Sequence, residues 1–163
     1  MPLVEKLDVF SKLYTLIKIH KTPIATRPII YTSGSLLYNL GKWINLYLMP
    51  IAAMQPSYIK SASTWKTNIT STTIPHNLTL FTADATQMYT NIDTNIAFNL
   101  LTPYMFYIQK TQPTFPAAAI VDALKIVMYN NIFKFGDTSW KQTQGTSMGT
   151  PPAPAWATLY YSR

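Results

Sequence analysis

Between residues 36 and 51 the apolar side chains Leu36, Leu40, Trp43, Ile44, Tyr47, Leu48 and Ile51 recur at intervals of three and four. That spacing lines one side of a helix and predicts a strongly amphipathic element. Such a helix must bury its stripe, so the rest of the chain has to supply a core. With 48% apolar residues in 163, the chain has the material and is not a disordered tail. Its length suits one ordinary domain and is too short for two. Followed to Met54, the same stretch is interrupted by Asn39, Lys42, Asn45 and Pro50, which is too polar for a membrane span. A soluble protein without integral membrane association is expected.

Other elements follow from the same reasoning. Residues 3–17 carry Leu3, Val4, Leu7, Phe10, Leu13 and Tyr14 at a helix-like spacing. From Leu13 the pattern becomes strand-like through Leu16, Ile17 and Ile19. Lys21-Thr22-Pro23 reads as a turn and Arg27–Tyr31 as a second strand. The expected product is a hairpin whose tip carries Lys18, His20, Lys21 and Arg27. Ser33-Gly34-Ser35 offers an N-cap to the helix already described. A further helix is expected over 57–68, then a polar, Thr-rich loop over 69–77. Leu78–Ala83 alternates and predicts a strand delivering Asp84 at its end. Beyond Asp93 an apolar stretch runs to about Ile108, kinked or broken near Pro103. Pro116 is placed as the first residue of a helix over 116–129. Phe133, Phe135 and Trp140 around Gly136-Asp137 predict another hairpin, and a last helix starts at about Pro152. Strands interspersed with helices predict an α+β fold, mostly helical with short antiparallel strands.

Charge is sparse and lopsided: 13 Lys and Arg against 6 Asp and Glu, a formal balance of +7. A polyanionic partner is expected, nucleic acid first and an anionic membrane surface second, with a merely basic soluble domain as the plain alternative. There are no cysteines and two histidines, His20 and His76, which excludes a Cys-rich zinc or disulfide framework. Two glycosylation sequons begin at Asn68 and Asn77 and would fit secretion; in a Thr- and Asn-rich chain such triplets arise readily by chance, and with no signal peptide read ahead of them a protein that is not secreted is expected.

Three features carry chemistry. Asp84 is the acid attached to a strand-like apolar run, where a carboxylate is costly unless paired or bound to a cation; taken alone, an ordinary cap or turn aspartate is the better reading. The run Gln144-Gly145-Thr146-Ser147-Met148-Gly149 holds two of the five glycines, which permit close backbone approach to a ligand. Gln144, Thr146 and Ser147 are its candidate polar contacts, and structural punctuation before a helix is the alternative. Lys18, Lys21 and Arg27 on the first hairpin suit phosphate oxygens, Arg27 by a two-point fork; a solvated hairpin face is the alternative.

The order of these features resembles a family. Leu16-Ile17-Lys18-Ile19-His20-Lys21 followed by Arg27-Pro28-Ile29-Ile30 resembles the fingers motifs of reverse transcriptases. Together with Gly34-Ser35 and Tyr38-Asn39-Leu40, it is most similar to Penelope-like retroelements. Phe81-Thr82-Ala83-Asp84 and Tyr89-Thr90-Asn91-Ile92 resemble the first palm motif, and Gln144 to Pro151 the second. The resemblance covers roughly residues 13–162. It implies right-hand polymerase fingers over 1–77, a first palm segment over 78–94, a fingers–palm connection over 95–143, and the second palm motif with its helix over 144–163. Thumb and remaining palm would be absent. It further implies an RNA-directed DNA polymerase that uses Mg²⁺, with Mn²⁺ as substitute, and deoxynucleoside triphosphates on an RNA or DNA template with primer. Asp84 would ligate the metal pair and Tyr89 would be the gate against a 2′-hydroxyl. Gln144 and Gly145 would lie along the sugar and template base, Arg27 and Lys18 would hold the triphosphate, and Lys21, Lys42 and Lys60 would contact nucleic acid. Ile17 stands where the family usually has proline.

Two-ion catalysis needs ions ~4 Å apart bridged by several carboxylates, and a lone Asp84 cannot hold such a pair. The resemblance puts the others after the second palm motif, so this chain is expected to be inactive alone and to leave its palm sheet with an unpaired edge. Two rival readings stand beside it. One is a nucleic-acid-binding retroelement remnant without catalysis; the other is a membrane-surface protein using Trp43, Tyr47 and Trp65.

Overall fold

The computed structural model describes residues 9–19, 22–73, 75–79 and 81–163. The helix-like stretch over Leu3–Leu7 and the tip residues His20 and Lys21 lie outside them. Among the described residues the chain is a small α+β protein of five helices and one four-stranded mixed sheet.

The first hairpin forms as β1 (Ser11–Lys18) and β2 (Ala25–Tyr31), paired antiparallel from Lys12 opposite Tyr31 to Lys18 opposite Ala25. The helix-like spacing of Phe10, Leu13 and Tyr14 therefore does not make a helix there. Cross-strand hydrogen bonds to β2 decide the conformation, and such tertiary pairing outweighs a local period. The Ser33-Gly34-Ser35 segment closes a turn in which the Ser35 N–H donates to the Thr32 carbonyl at 3.0 Å. Helix α1 (Tyr38–Ala53) begins later than Leu36, and its N-cap Leu37 makes no side-chain bond, so the expected serine cap is not used. Helix α2 (Ala62–Thr70) also starts later than predicted. Ser61 sets its start: the side chain accepts the Thr64 N–H at 3.1 Å.

The expected strand over Leu78–Ala83 does not form among the described residues. Residues 81–85 have no regular structure, and Phe81 is 84% exposed. Alternation creates a possible strand face, but a strand persists only with a partner to take its hydrogen bonds, and among the described residues none pairs with this segment. Helix α3 (Thr94–Thr111) runs through Pro103 without breaking. Pro116 sits one place before α4 (Ala117–Tyr129), at the N-cap. The second hairpin is β3 (Ile132–Phe135) and β4 (Thr138–Lys141), turned at Gly136. Helix α5 (Ala153–Tyr161) follows Pro152.

Sheet order is β2-β1-β3-β4, and the β1–β3 contact is parallel, so the strands are not all antiparallel. The core lies among helices: α1 packs on α4 and α5, and α3 on the same two. Ile44 and Leu48 from α1 meet Leu101 and Met105 from α3, Ile120 and Leu124 from α4, and Trp156 and Leu159 from α5, all essentially inaccessible. Of the stripe read here, Ile44, Leu48 and Ile51 are buried and Leu40, Trp43 and Tyr47 pack half-buried against the core, whereas Leu36 precedes the helix and is exposed; Gly41 admits Pro151 and Pro152 against the helix backbone.

Candidate functional site

The segment between β4 and α5 is held by backbone at both ends. Near its start, the Thr146 N–H donates to the Tyr89 carbonyl at 2.8 Å. Gly145 has φ +78°, and a Cβ there would stand 2.7 Å from the Thr90 Cα, closer than any side chain can come. Near its end, the Ile30 N–H donates to the Met148 carbonyl at 2.8 Å, and the Thr32 hydroxyl donates to the Gly149 carbonyl at 2.8 Å. Gly149 has φ +113°, and a Cβ would overlap the Ile30 carbonyl oxygen. Both glycines are therefore required by close backbone approach as well as by conformation. One short loop joins the turn at Tyr89–Thr90 to the outer edge of β2.

The turn feeding Tyr89 is itself built from local bonds. The Asn91 amide donates to the Thr86 carbonyl at 3.0 Å and the Thr90 hydroxyl to the Gln87 carbonyl at 3.0 Å, while Gln87 takes a left-handed φ of +51°. From the far side the Tyr161 hydroxyl donates to the Met88 carbonyl at 2.8 Å, tying α5 to the turn. Tyr89 is half-buried against the core, and burial raises its phenol above the ordinary 10.0 because the ionised form would lose solvation.

The predicted site residues are not equally placed. Gln144 is exposed and Gly145 partly so, but Thr146 and Ser147 are only 3% and 6% exposed, and their hydroxyls find no partner. Those two are packed structural residues and not the polar contacts that the loop sequence suggested. Asp84 is exposed on the irregular segment, off any strand end and off any helix cap. Arg27 is exposed, Lys18 is half-buried two pairs away, and both project from the same side of the hairpin by register. Lys42 lies on α1 with its ammonium 5.6 Å from the centre of the Tyr38 ring, and Lys60 is exposed just before α2.

Beside Gln144 and Gly145 opens a cleft of about 290 Å³. Its walls include Asp93, Asn95, Tyr129, Lys141 and Thr143, none of which the sequence singled out. Asp93 is the N-cap of α3, accepting the Ile96 N–H at 2.9 Å, and the Tyr129 hydroxyl donates to Asn95 at 2.7 Å. The apolar stretch read as starting beyond Asp93 was the local signal nearest this wall.

The acids of the described residues are dispersed. Asp93 caps a helix, Asp122 forms an exposed 3.6 Å ion pair with Lys125, and Asp137 lies in the β3–β4 turn. Among the described residues no three His, Asp or Glu side chains gather to hold a metal ion, and Asp84 alone does not fit a two-ion centre. No described helix is long and apolar enough to cross a membrane.

No family model matches this chain, and comparison with curated proteins found no match either.

Proposed function

We propose that this chain is part of an RNA-directed DNA polymerase of the reverse-transcriptase kind, similar to that of Penelope-like retroelements, in which it forms the floor of a nucleotide pocket. One observation carries the proposal: segments resembling three separate polymerase motifs meet at one loop. Tyr89–Thr90 touches Gly145–Thr146, and β2 touches Met148–Gly149. An exposed Gln144 beside a glycine backbone offers hydrogen bonds to a sugar or base edge, and Tyr89 presents a ring held by the core. Arg27 and Lys18 supply cations for a triphosphate from one side of the hairpin.

A lone carboxylate gives no catalytic step to derive, so binding rather than turnover is what this chain contributes. That same observation favours a second reading, a nucleic-acid-binding remnant of a retroelement. Photocrosslinking with a reactive deoxynucleoside triphosphate, followed by peptide mapping, tests the pocket. Label is expected within 84–91 and 144–150, with Gln144→Ala reducing it severalfold while the fold is unchanged. Label confined to other segments would sink the pocket. Primer extension by the purified chain is expected to be absent; robust extension would overturn the claim that it only binds.

A further inference from the structure

Helix α3 is apolar on two sides. Ala97, Phe98, Leu101, Met105 and Ile108 enter the core. On the opposite side Ile96, Leu100, Pro103 and Tyr107 are exposed, Ile96 at 49%, Leu100 at 44% and Tyr107 at 59%. These four recur at intervals of four, three and four, the repeat that lets two helices lie along one another. A helix packed on one side normally turns a polar side to water, so a continuous apolar seam there marks a contact surface. The same repeat runs one step further each way, to exposed Asp93 at the N-cap and exposed Lys110 in the last turn. Neither charge joins an ion pair among the described residues. One carboxylate oxygen of Asp93 accepts the Ile96 N–H, and the other makes no hydrogen bond there.

We propose that α3 pairs antiparallel with α3 of a second copy of this chain. The seam is complementary to itself about a midpoint between Leu100 and Pro103. Reversing the helix about that point sets Ile96 opposite Tyr107, Leu100 opposite Pro103 and Asp93 opposite Lys110. Each pair then occurs twice, as a two-fold interface requires. Charge selects both the direction and the occupant. Parallel pairing would set Asp93 against Asp93 and Lys110 against Lys110, whereas the antiparallel pair joins opposite charges at both ends and opposes the two helix dipoles. A helix of another protein could cover the apolar seam, but only a second α3 explains an acid and a base at equal distances from its centre. The 18-residue helix is about 27 Å long. A seam of that length and one helix wide falls short of the ~800 Å² per partner of a standard interface, so a dimer of micromolar affinity is expected. The pairing needs neither Asp84 nor the hairpin cations, so it goes beyond the nucleotide pocket and survives that pocket's failure.

Sedimentation velocity of the full chain over about 1–200 µM tests it, with the mean sedimentation coefficient expected to climb from monomer to dimer. Leu100→Glu, beside the two-fold axis, should weaken the dimer at least tenfold, because each charge is introduced twice. Lys110→Glu faces Asp93 of the second copy and should weaken it about tenfold. Adding Asp93→Asn, which keeps the capping acceptor and removes the repulsion, should recover at least threefold of that loss. A change confined to one helix would give no such recovery. Carbodiimide cross-linking reads the direction: Asp93 and Lys110 lie about 25 Å apart on one helix, so a mapped Asp93–Lys110 link must join two copies. Circular dichroism of each variant reports that it is folded. A chain that stays monomeric throughout the range would overturn the proposal. So would a dimer that a folded Leu100→Glu chain forms with unchanged affinity, or a cross-linked dimer whose links all avoid α3.

Discussion

Two residues show how differently glycine can matter within one chain. Gly34 has φ +78° and open space where a Cβ would go, so Gly34→Ala costs only the conformational strain of about 1 kcal/mol. Gly145 shares that φ, but a Cβ there would press into the Thr90 backbone. Strain and overlap together should make Gly145→Ala cost ~2–4 kcal/mol, read as a lowered urea midpoint at unchanged slope. Equal midpoints for the two variants would contradict the backbone contact. Tyr89 supplies a pH signature at the same junction. Its phenol is neutral in both folded and unfolded chains below pH 10, so its burial has no pH-dependent effect there. Above pH 10 the unfolded chain releases the proton first, and stability falls until the pH passes the raised folded value. Tyr89→Phe should remove part of that alkaline loss while leaving neutral stability nearly unchanged; an identical alkaline unfolding curve would count against it.

At the level of elements, local signals succeeded where an element's own periodicity met a partner and failed where it did not. The α1 stripe, the hairpin turned at Gly136 and the helix after Pro152 were legible because spacing, turn residues and proline all act within a few positions. Leu78–Ala83 has equally good alternation but pairs with no described strand, and Leu78 and Phe81 are left exposed. β1 has a helical spacing and became a strand because β2 and β3 flank it. Helix α2 is an intermediate case: it buries no residue and depends on the Ser61 cap. Its amides should exchange hydrogen orders of magnitude faster than those of α4, and Ser61→Ala should destabilise it by about 1 kcal/mol without moving global stability. Exchange as slow as that of α4 would mean that some packing holds α2 in place.

For the whole molecule, stability is concentrated where four helices converge on Trp156, whose ring lies 5.0 Å from that of Phe98 and is fully inaccessible. Trp156→Ala should cost ~3–5 kcal/mol, a large share of a typical domain's stability, and lower the urea midpoint accordingly. Trp156→Phe should cost clearly less, because the buried indole N–H has no partner to lose. The sequence alone determined which segments are apolar on one side, where the chain turns, and that its formal charge is +7, since these depend on residue type and spacing over a few positions. Only the tertiary structure decided that Gly145 and Gly149 join the Tyr89 turn to β2, that Thr146 and Ser147 are packed away, and that Asp84 stands free of any strand. Those outcomes depend on contacts between residues many positions apart, and no local period encodes which distant backbone will arrive.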